Sequence, residues 1–332
     1  MQLTIRKFLK EQCQKVPLAP QEDLAGKTVI VVGANTGIGY EAAKHFASMN
    51  PGKLILACRD QRRGDEALQR IQQETGCNNI EVSVLDLKSF DSVNAFADRF
   101  EKSGQRLDII IANAAVLATN LEVTDGGWES GFQVNNLSTN LLCLLLIPAL
   151  SRTATQYNTN PRIVVVTREL HYWAQLAPKV LSAPNPIEFD TKLLNVLFIR
   201  ALSSKLSTSN PNIIATSVNP GFCASSLRRE FTGLQRFVVD WLSVKLLART
   251  SEKGSRQLVW AALAGSGKGG SKAGVDIDAL RGAYVSSMTV CEPSDFVISD
   301  EGKRMQDLFW DGMMTVFKGV NPKVEGIVAA HF

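Results

Sequence analysis

Short β-branched apolar runs alternate with longer stretches of helical periodicity through the first half of the chain. Thr28–Val32, Lys53–Ala57, Ile80–Val84, Leu107–Ala112 and Arg162–Thr167 read as strands, and the stretches 38–49, 62–75, 89–102 and 128–151 between them read as helices. Regular alternation of this kind predicts an α/β fold, a doubly wound parallel sheet covered by helices on both faces. The pattern continues with a helix from Glu188 to Leu206, a strand over Asn212–Val218, a helix over 252–264 and a strand over Gly282–Ser286. About seven strands result.

Four segments stand outside this rhythm. In 226–249, Leu227, Phe231, Leu234, Phe237, Val238, Trp241, Leu242 and Leu246 recur at helical spacing beside several arginines. Residues 1–16 set Leu3, Ile5, Phe8 and Leu9 among Arg6, Lys7, Lys10 and Lys15, without the continuous apolar core of a signal peptide. An amphipathic helix here either packs on the domain or rests on a membrane surface. Gly265–Gly274 reads as a flexible surface insert; it lacks the spacing of a phosphate-binding P-loop and a preceding strand. The most apolar run, Leu141–Ile147, is ended by Pro148 and falls far short of the ~20 residues that span a bilayer. The expected organisation is a helical extension over 1–24 and one domain over 25–332.

Composition narrows the function classes. The 332 residues are 45% hydrophobic, enough for a substantial core, and a net charge of +4 without a basic, aromatic-interleaved stripe speaks against nucleic acid as a partner. Cys13, Cys58, Cys77, Cys143, Cys223 and Cys291 are scattered, and His45, His171 and His331 form no cluster with them. No metal site is expected, and a reducing, cytoplasmic setting is.

The first strand runs into Gly33-Ala34-Asn35-Thr36-Gly37-Ile38-Gly39 and then directly into a helix. Glycines are needed where a turn is tight and the backbone must approach a pyrophosphate seated on the helix N-terminus. Strand before and helix behind make this a dinucleotide-binding turn.

The spacing GxxxGxG, with "LAGKTVIVVGANTGIGYEAAKHFA", "LILACRD", "LDL" at 85–87, "ANAA" at 112–115, "FQVNNLS" at 132–138, "TKLLNVLF" at 191–198 and "NPGF" at 219–222, resembles the short-chain dehydrogenase/reductase family. The likeness is to its retinol-dehydrogenase-like branch with many fungal members, and it covers nearly the whole chain. It implies that Asp86 and Leu87 border the adenine, that Asn113 and Ala114 line the cofactor groove, and that Pro220 and Gly221 lie by the nicotinamide. The segment 226–249 would then cover the substrate. Val32 stands where the family usually has threonine, so a hydrogen bond near the fourth strand is lost.

Cofactor choice is read from the end of the second strand, where NAD-binding relatives place a carboxylate for the ribose 2′-hydroxyl. Cys58 and Arg59 stand here, and a guanidinium suits a 2′-phosphate, which points to NADP(H). The plain alternative is that Arg59 is a solvated loop cation paired with Asp60.

The family's chemistry uses four side chains. Asn135 fits the relay asparagine, and Lys192 fits the lysine that holds the ribose and lowers the tyrosine's pKa. The tyrosine four residues before the lysine is Glu188, and the catalytic serine after the fifth strand is Arg168, preceded by Thr167. Tyr172 could replace the tyrosine only if its loop folded back into the site. A glutamate with a reference pKa of about 4.3 holds no proton at neutral pH unless burial raises it. Loss of general acid catalysis costs about 10²–10⁴ in rate. Arg168 and Glu188 are expected either to pair across the site or to swing outward. Leu170, Tyr172, Trp173 and Leu176, with Phe222, suggest an apolar pocket, and His171 is expected to pack or cap locally.

Three functions compete. The resemblance implies an NADP(H)-dependent oxidoreductase of specialised metabolism acting on a medium-sized apolar alcohol or carbonyl, with a homodimer as the family's habit. A non-redox isomerase, dehydratase or cyclase on the same scaffold is the second. A catalytically dead NADPH-binding module is the third.

Overall fold

The computed structural model describes residues 3–117, 121–174, 188–210, 212–224, 247–266 and 275–332, with the side chains of Ile5, 188–190 and Ser207 left aside. An N-terminal helix, α1 (Ile5–Gln12), precedes the alternating series β1 (Thr28–Val32), α2 (Gly37–Ala47), β2 (Lys53–Cys58), α3 (Gln61–Thr75), β3 (Ile80–Val84), α4 (Phe90–Lys102) and β4 (Ile109–Ala112). A long helical run, α5 (Ser130–Tyr157), leads to β5 (Arg162–Val166), α6 (Glu188–Ser209) and β6 (Ile214–Asn219). The chain closes with α7 (Ser251–Leu263), β7 (Tyr284–Ser286), β8 (Thr289–Cys291), α8 (Asp300–Val320) and α9 (Lys323–His331).

The strands form one sheet in the order β3-β2-β1-β4-β5-β6-β7-β8, parallel except for the antiparallel pair β7–β8. The eight strands add one to the expected set. Alternate residues of each inner strand feed opposite cores: Ile30, Val32, Ile110, Ile163 and Val165 face one apolar layer, and Val29, Val31, Ile111 and Val164 the other. Fully burying each such side chain contributes about 1.5–3 kcal/mol. The strand order reverses beside β1, which pairs with both β2 and β4. A crevice at the carboxyl ends of the strands is expected at that point.

α5 carries a π-helical segment, Gln133–Ser138, and runs through Pro148, as the helix read over 128–151 implies, ending six residues later than that reading. The proline occupies the first turn of the segment Ile147–Tyr157, where its missing N–H costs nothing, and the run ends at Asn158 in the left-handed region (φ 48°). By length and composition α5 could cross a membrane, yet 89% of its most apolar window is buried inside the protein.

The helices α8 and α9 are absent from the expected set. Met305, Phe309, Met313 and Phe317 are buried along α8, and Trp310 stacks on Phe198 of α6 with ring centroids 6.0 Å apart. At the other end, α1 lies on the domain with Leu3 and Gln12 buried, and Phe8 meets Trp173 edge-on at 6.2 Å. Of the segment 226–249 only 247–249 are among the described residues, and of the insert only Gly265 and Ser266.

Candidate functional site

A groove of about 320 Å³ opens at the strand-order reversal. Its floor is the turn that leaves β1. Gly33 has φ +77°, and a Cβ there would meet the Cβ of Ala114 at 2.9 Å. Gly39 sits so close to the Gly33 carbonyl and to the Asn113 amide that no side chain fits. Gly37, with φ +64°, has open space where its Cβ would be. The three glycines thus serve three needs: a turn, a close packing of α2 on β1, and an unobstructed helix N-terminus.

Asn113, just past β4, donates from Nδ2 to the carbonyls of Val32 (3.2 Å) and Gly33 (3.4 Å). The two strand ends at the crevice are therefore tied although Val32 has no hydroxyl. Gly33, Asn35, Thr36, Gly37, Ile38, Arg59, Asp86, Leu87, Asn113 and Ala114 line the groove, as their positions in the sequence suggest. Gly39 lies beneath it, and Lys192, Pro220 and Gly221 are outside its lining.

At the β2 end the groove is cationic. Arg59 is exposed and makes no ion pair among the described residues. Asp60 does not pair with it; its carboxylate caps α3 by accepting from the backbone N–H of Arg63 at 2.8 Å. Arg63 also lines the groove, four residues beyond Arg59, a position that the motif at the end of the second strand does not mark. Cys58 is buried, and burial pushes its thiol up to about 11, so the position is neutral. Asp86 accepts from the backbone N–H of Lys88 at 2.9 Å, and Lys88 Nζ pairs with Glu122 at 2.5 Å.

Beyond the groove, the ends of β5 and α6 meet the π-helical segment of α5 in a buried polar network. Asn135 accepts at Oδ1 from the Val116 N–H (2.9 Å) and donates from Nδ2 to the Val116 carbonyl (3.0 Å) and to Thr191 Oγ1 (3.4 Å). Asn136 donates to the Thr191 carbonyl (2.8 Å) and to Asn195 Oδ1 (2.7 Å). Lys192 is buried and donates from Nζ to the Val166 carbonyl at 3.3 Å, while Thr167 Oγ1 donates to the Lys192 carbonyl at 2.7 Å. Asn135, Lys192 and the β5 terminus are thereby brought to one place, stapled by backbone groups. Asn136, Thr191 and Asn195 lie inside the quoted runs 132–138 and 191–198, but nothing in those runs gives them a role of their own.

Arg168 is half-buried at the end of β5, and its carbonyl is bonded to His171 Nδ1 at 2.8 Å. Glu188 begins α6, but its side chain lies outside the described residues, as does Leu176, and with it the expected Arg168–Glu188 pairing. His171 is enclosed, with ring centroids 4.2 Å from Tyr172 and 4.5 Å from Tyr284, and burial lowers its pKa to about 4. The Tyr172 hydroxyl donates to the Glu292 carbonyl at 2.6 Å, next to β8, so it is committed there. Trp173 remains 46% exposed beside α1. Glu169 is fully enclosed, and desolvation raises its pKa; Arg168 and Arg249 oppose that shift.

Comparison with known proteins gives a consistent picture. Residues 27–168 match the family model described as short chain dehydrogenase. The short chain dehydrogenase/reductase dmxR8 of Cryptosporiopsis sp. is 33% identical over 337 residues, covering 96% of this chain and 98% of that protein. The short-chain dehydrogenase anuD of Penicillium roqueforti is 33% identical over 336 residues, covering 96% and 84%. Among solved structures, an uncharacterized protein of Mycobacterium paratuberculosis superposes with a TM-score of 0.65 at 23% identity, covering 90% of this chain and 96% of that one. Pseudomonas aeruginosa RhlG, solved as an active-site complex with NADP, gives 0.59 at 20% identity, covering 75% and 94%.

Proposed function

Because the chain belongs to the short-chain dehydrogenase family, we propose that it is an NADP(H)-binding oxidoreductase of a medium-sized apolar alcohol or carbonyl, with an altered acid/base pair. The observation that carries the cofactor choice is the cationic end of the groove, where Arg59 and Arg63 flank a neutral Cys58. Two guanidiniums favour a 2′-phosphate, and no carboxylate holds the position that would bind a free 2′-hydroxyl. RhlG, a structural neighbour, is a protein captured with NADP.

The groove fits such a ligand. Gly37 leaves the start of α2 clear, and the exclusion of side chains at Gly39 keeps the turn close to the helix. Arg59 and Arg63 would hold the 2′-phosphate, the Gly33–Gly39 turn the pyrophosphate, and Asp86 with Leu87 the adenine edge. Since the strands from β3 to β6 are parallel, their carboxyl ends share one side. A ligand anchored at Arg59 and running past Gly33 and Asn113 extends toward Thr167 and Pro220. When bound, NADPH supplies the hydride.

Around the reacting oxygen the chain offers a guanidinium at Arg168 in place of a hydroxyl. A fixed positive donor there favours the negative charge that builds on that oxygen. Glu188 stands four residues before Lys192, where the family's proton donor stands, and a glutamate with the ordinary pKa of about 4.3 holds no proton at neutral pH. Carbonyl reduction is therefore slow in this chain unless the substrate carries its own acidic group. The Tyr172 hydroxyl, held by Glu292, does not make up the loss.

A second reading, a non-redox enzyme or a cofactor-binding module without turnover, is favoured by one observation. Asn135 spends its side-chain amide on Val116 and on Thr191, which is a structural use. Single-turnover oxidation of NADPH with a panel of alkyl and aryl ketones separates the readings. Wild type should react slowly, and Arg168→Ser with Glu188→Tyr should raise the rate by at least about tenfold, a part of the 10²–10⁴ that general acid catalysis supplies. No turnover in either protein would sink the oxidoreductase reading and leave the second.

A further inference from the structure

We propose that Gln12, on α1, is a positioning residue for the nicotinamide half of the cofactor site, holding the turn Pro220-Gly221-Phe222 in place. The proposal rests on the reading that NADP(H) occupies the groove.

Gln12 is only 7% exposed on a helix that otherwise lies at the surface. Its Nε2 donates to the carbonyls of Phe222 (2.6 Å) and Leu247 (2.7 Å), and its Oε1 accepts from the Phe222 N–H at 3.1 Å. A side-chain amide has two donor hydrogens and one carbonyl oxygen, and here all of them bind backbone groups more than 200 residues away. The same side chain thus satisfies both the N–H and the carbonyl of Phe222 and ties that residue to a third segment.

Arg249 reinforces the clamp from the other side. Its Nη2 donates to the Glu11 carbonyl at 2.6 Å, and its backbone N–H donates to the Phe222 carbonyl at 2.8 Å. The guanidinium lies against Gly221, where a Cβ would fall 2.7 Å from Nη1. Gly221 itself has φ +81°, and its N–H donates to Asn219 Oδ1 at 2.9 Å. The turn that leaves β6 is therefore gripped between α1 and Arg249, in a backbone conformation only glycine holds without strain.

This turn sits at the carboxyl end of β6, in the direction in which a dinucleotide anchored at Arg59 must extend across the sheet edge. The adenosine end, at β2 and β3, lies on the far side of β1 in the sheet from the β6 turn to which α1 is tied. Loss of the clamp leaves the Phe222 and Leu247 backbone groups without these partners and frees the turn, while the 2′-phosphate site is untouched. α1 then contributes to cofactor binding at one end of the ligand only.

The test uses the full chain, titrated with NADPH by nicotinamide fluorescence and with adenosine 2′,5′-bisphosphate by calorimetry. Gln12→Ala removes the clamp; Gln12→Glu keeps its size and acceptor but turns a carboxylate toward two carbonyls. Both variants should weaken NADPH binding by about tenfold or more, from the loss of the hydrogen bonds that hold the turn. Both should bind the bisphosphate as wild type does. Unchanged NADPH affinity, or equal weakening of both ligands, would overturn the proposal, the second by showing a role in folding alone. Wild type binding neither ligand would overturn the cofactor reading and this proposal together.

Discussion

The carboxylate of Asp60 accepts a hydrogen bond from the backbone N–H of Arg63 at 2.8 Å, and this contact leaves Arg59 to the groove. Asp60 is spent as the cap of α3, so the adjacent arginine is not neutralised by its neighbour. Arg59→Ala should raise the Kd for NADPH about 10- to 100-fold, the worth of one charge-assisted contact. NADH affinity should change less than about threefold on the same scale. Fluorescence titration of both nucleotides against wild type and variant checks this.

Gly39 has no room for a side chain, since its Cβ position overlaps the Gly33 carbonyl and the Asn113 amide. Gly39→Ala must push α2 away from β1, at about 1–3 kcal/mol for overpacking. Both a lowered denaturation midpoint and loss of NADPH binding are expected. Gly37→Ala, with open space at its Cβ but φ +64°, should cost about 1 kcal/mol of backbone strain and add a methyl group at the groove. Thermal unfolding of the two variants side by side distinguishes clash from strain.

Asn113 joins the β4 end to the carbonyls of Val32 and Gly33. Asn113→Leu should destabilise by about 1–3 kcal/mol, through two carbonyls left without this donor. Val32→Thr adds a hydroxyl at the same junction and should restore part of the loss. Denaturant unfolding of the single and double variants measures the coupling.

His171 gives stability a pH dependence. Burial holds its folded-state pKa near 4, below the ordinary 6.5, so the native state resists protonation while the unfolded chain accepts it. Its contribution is complete above about pH 6.5 and is lost as pH falls toward 4, by at most about 3 kcal/mol. The stability advantage of wild type over His171→Phe should therefore shrink across that window. An advantage constant from pH 7 to pH 4.5 would show that the folded-state ring takes up a proton as readily as in the unfolded chain.

Much of the sheet was legible because each strand is a short apolar run bounded by helical periodicity. The glycine turn was legible because tight turn, close packing and open helix end each require glycine at its own position. The β7–β8 hairpin was not legible. Its turn residues Ser287 and Met288 both have positive φ (52° and 55°), a conformation that sequence announces through Gly or Asn. Gln257 Oε1 accepts from the Met288 N–H at 2.6 Å and supports the turn from another element. Helix α8 did carry a signal that went unread: Met305, Phe309, Met313 and Phe317 recur every four residues behind the capping Ser299. Arg63 was within reach too, one helical turn past Arg59. The Gln12 clamp was not, because its partners are more than 200 residues distant and are backbone atoms.

The central claim is that the groove is a site for NADP(H) selected by the charge at the end of β2. Titration of the purified full chain with NADPH, following nicotinamide fluorescence with NADH as the control, tests it most directly. The account predicts saturable binding of NADPH at least about tenfold tighter than NADH, a preference of about 1.4 kcal/mol or more. Equal affinity for the two, or binding of neither, would contradict it.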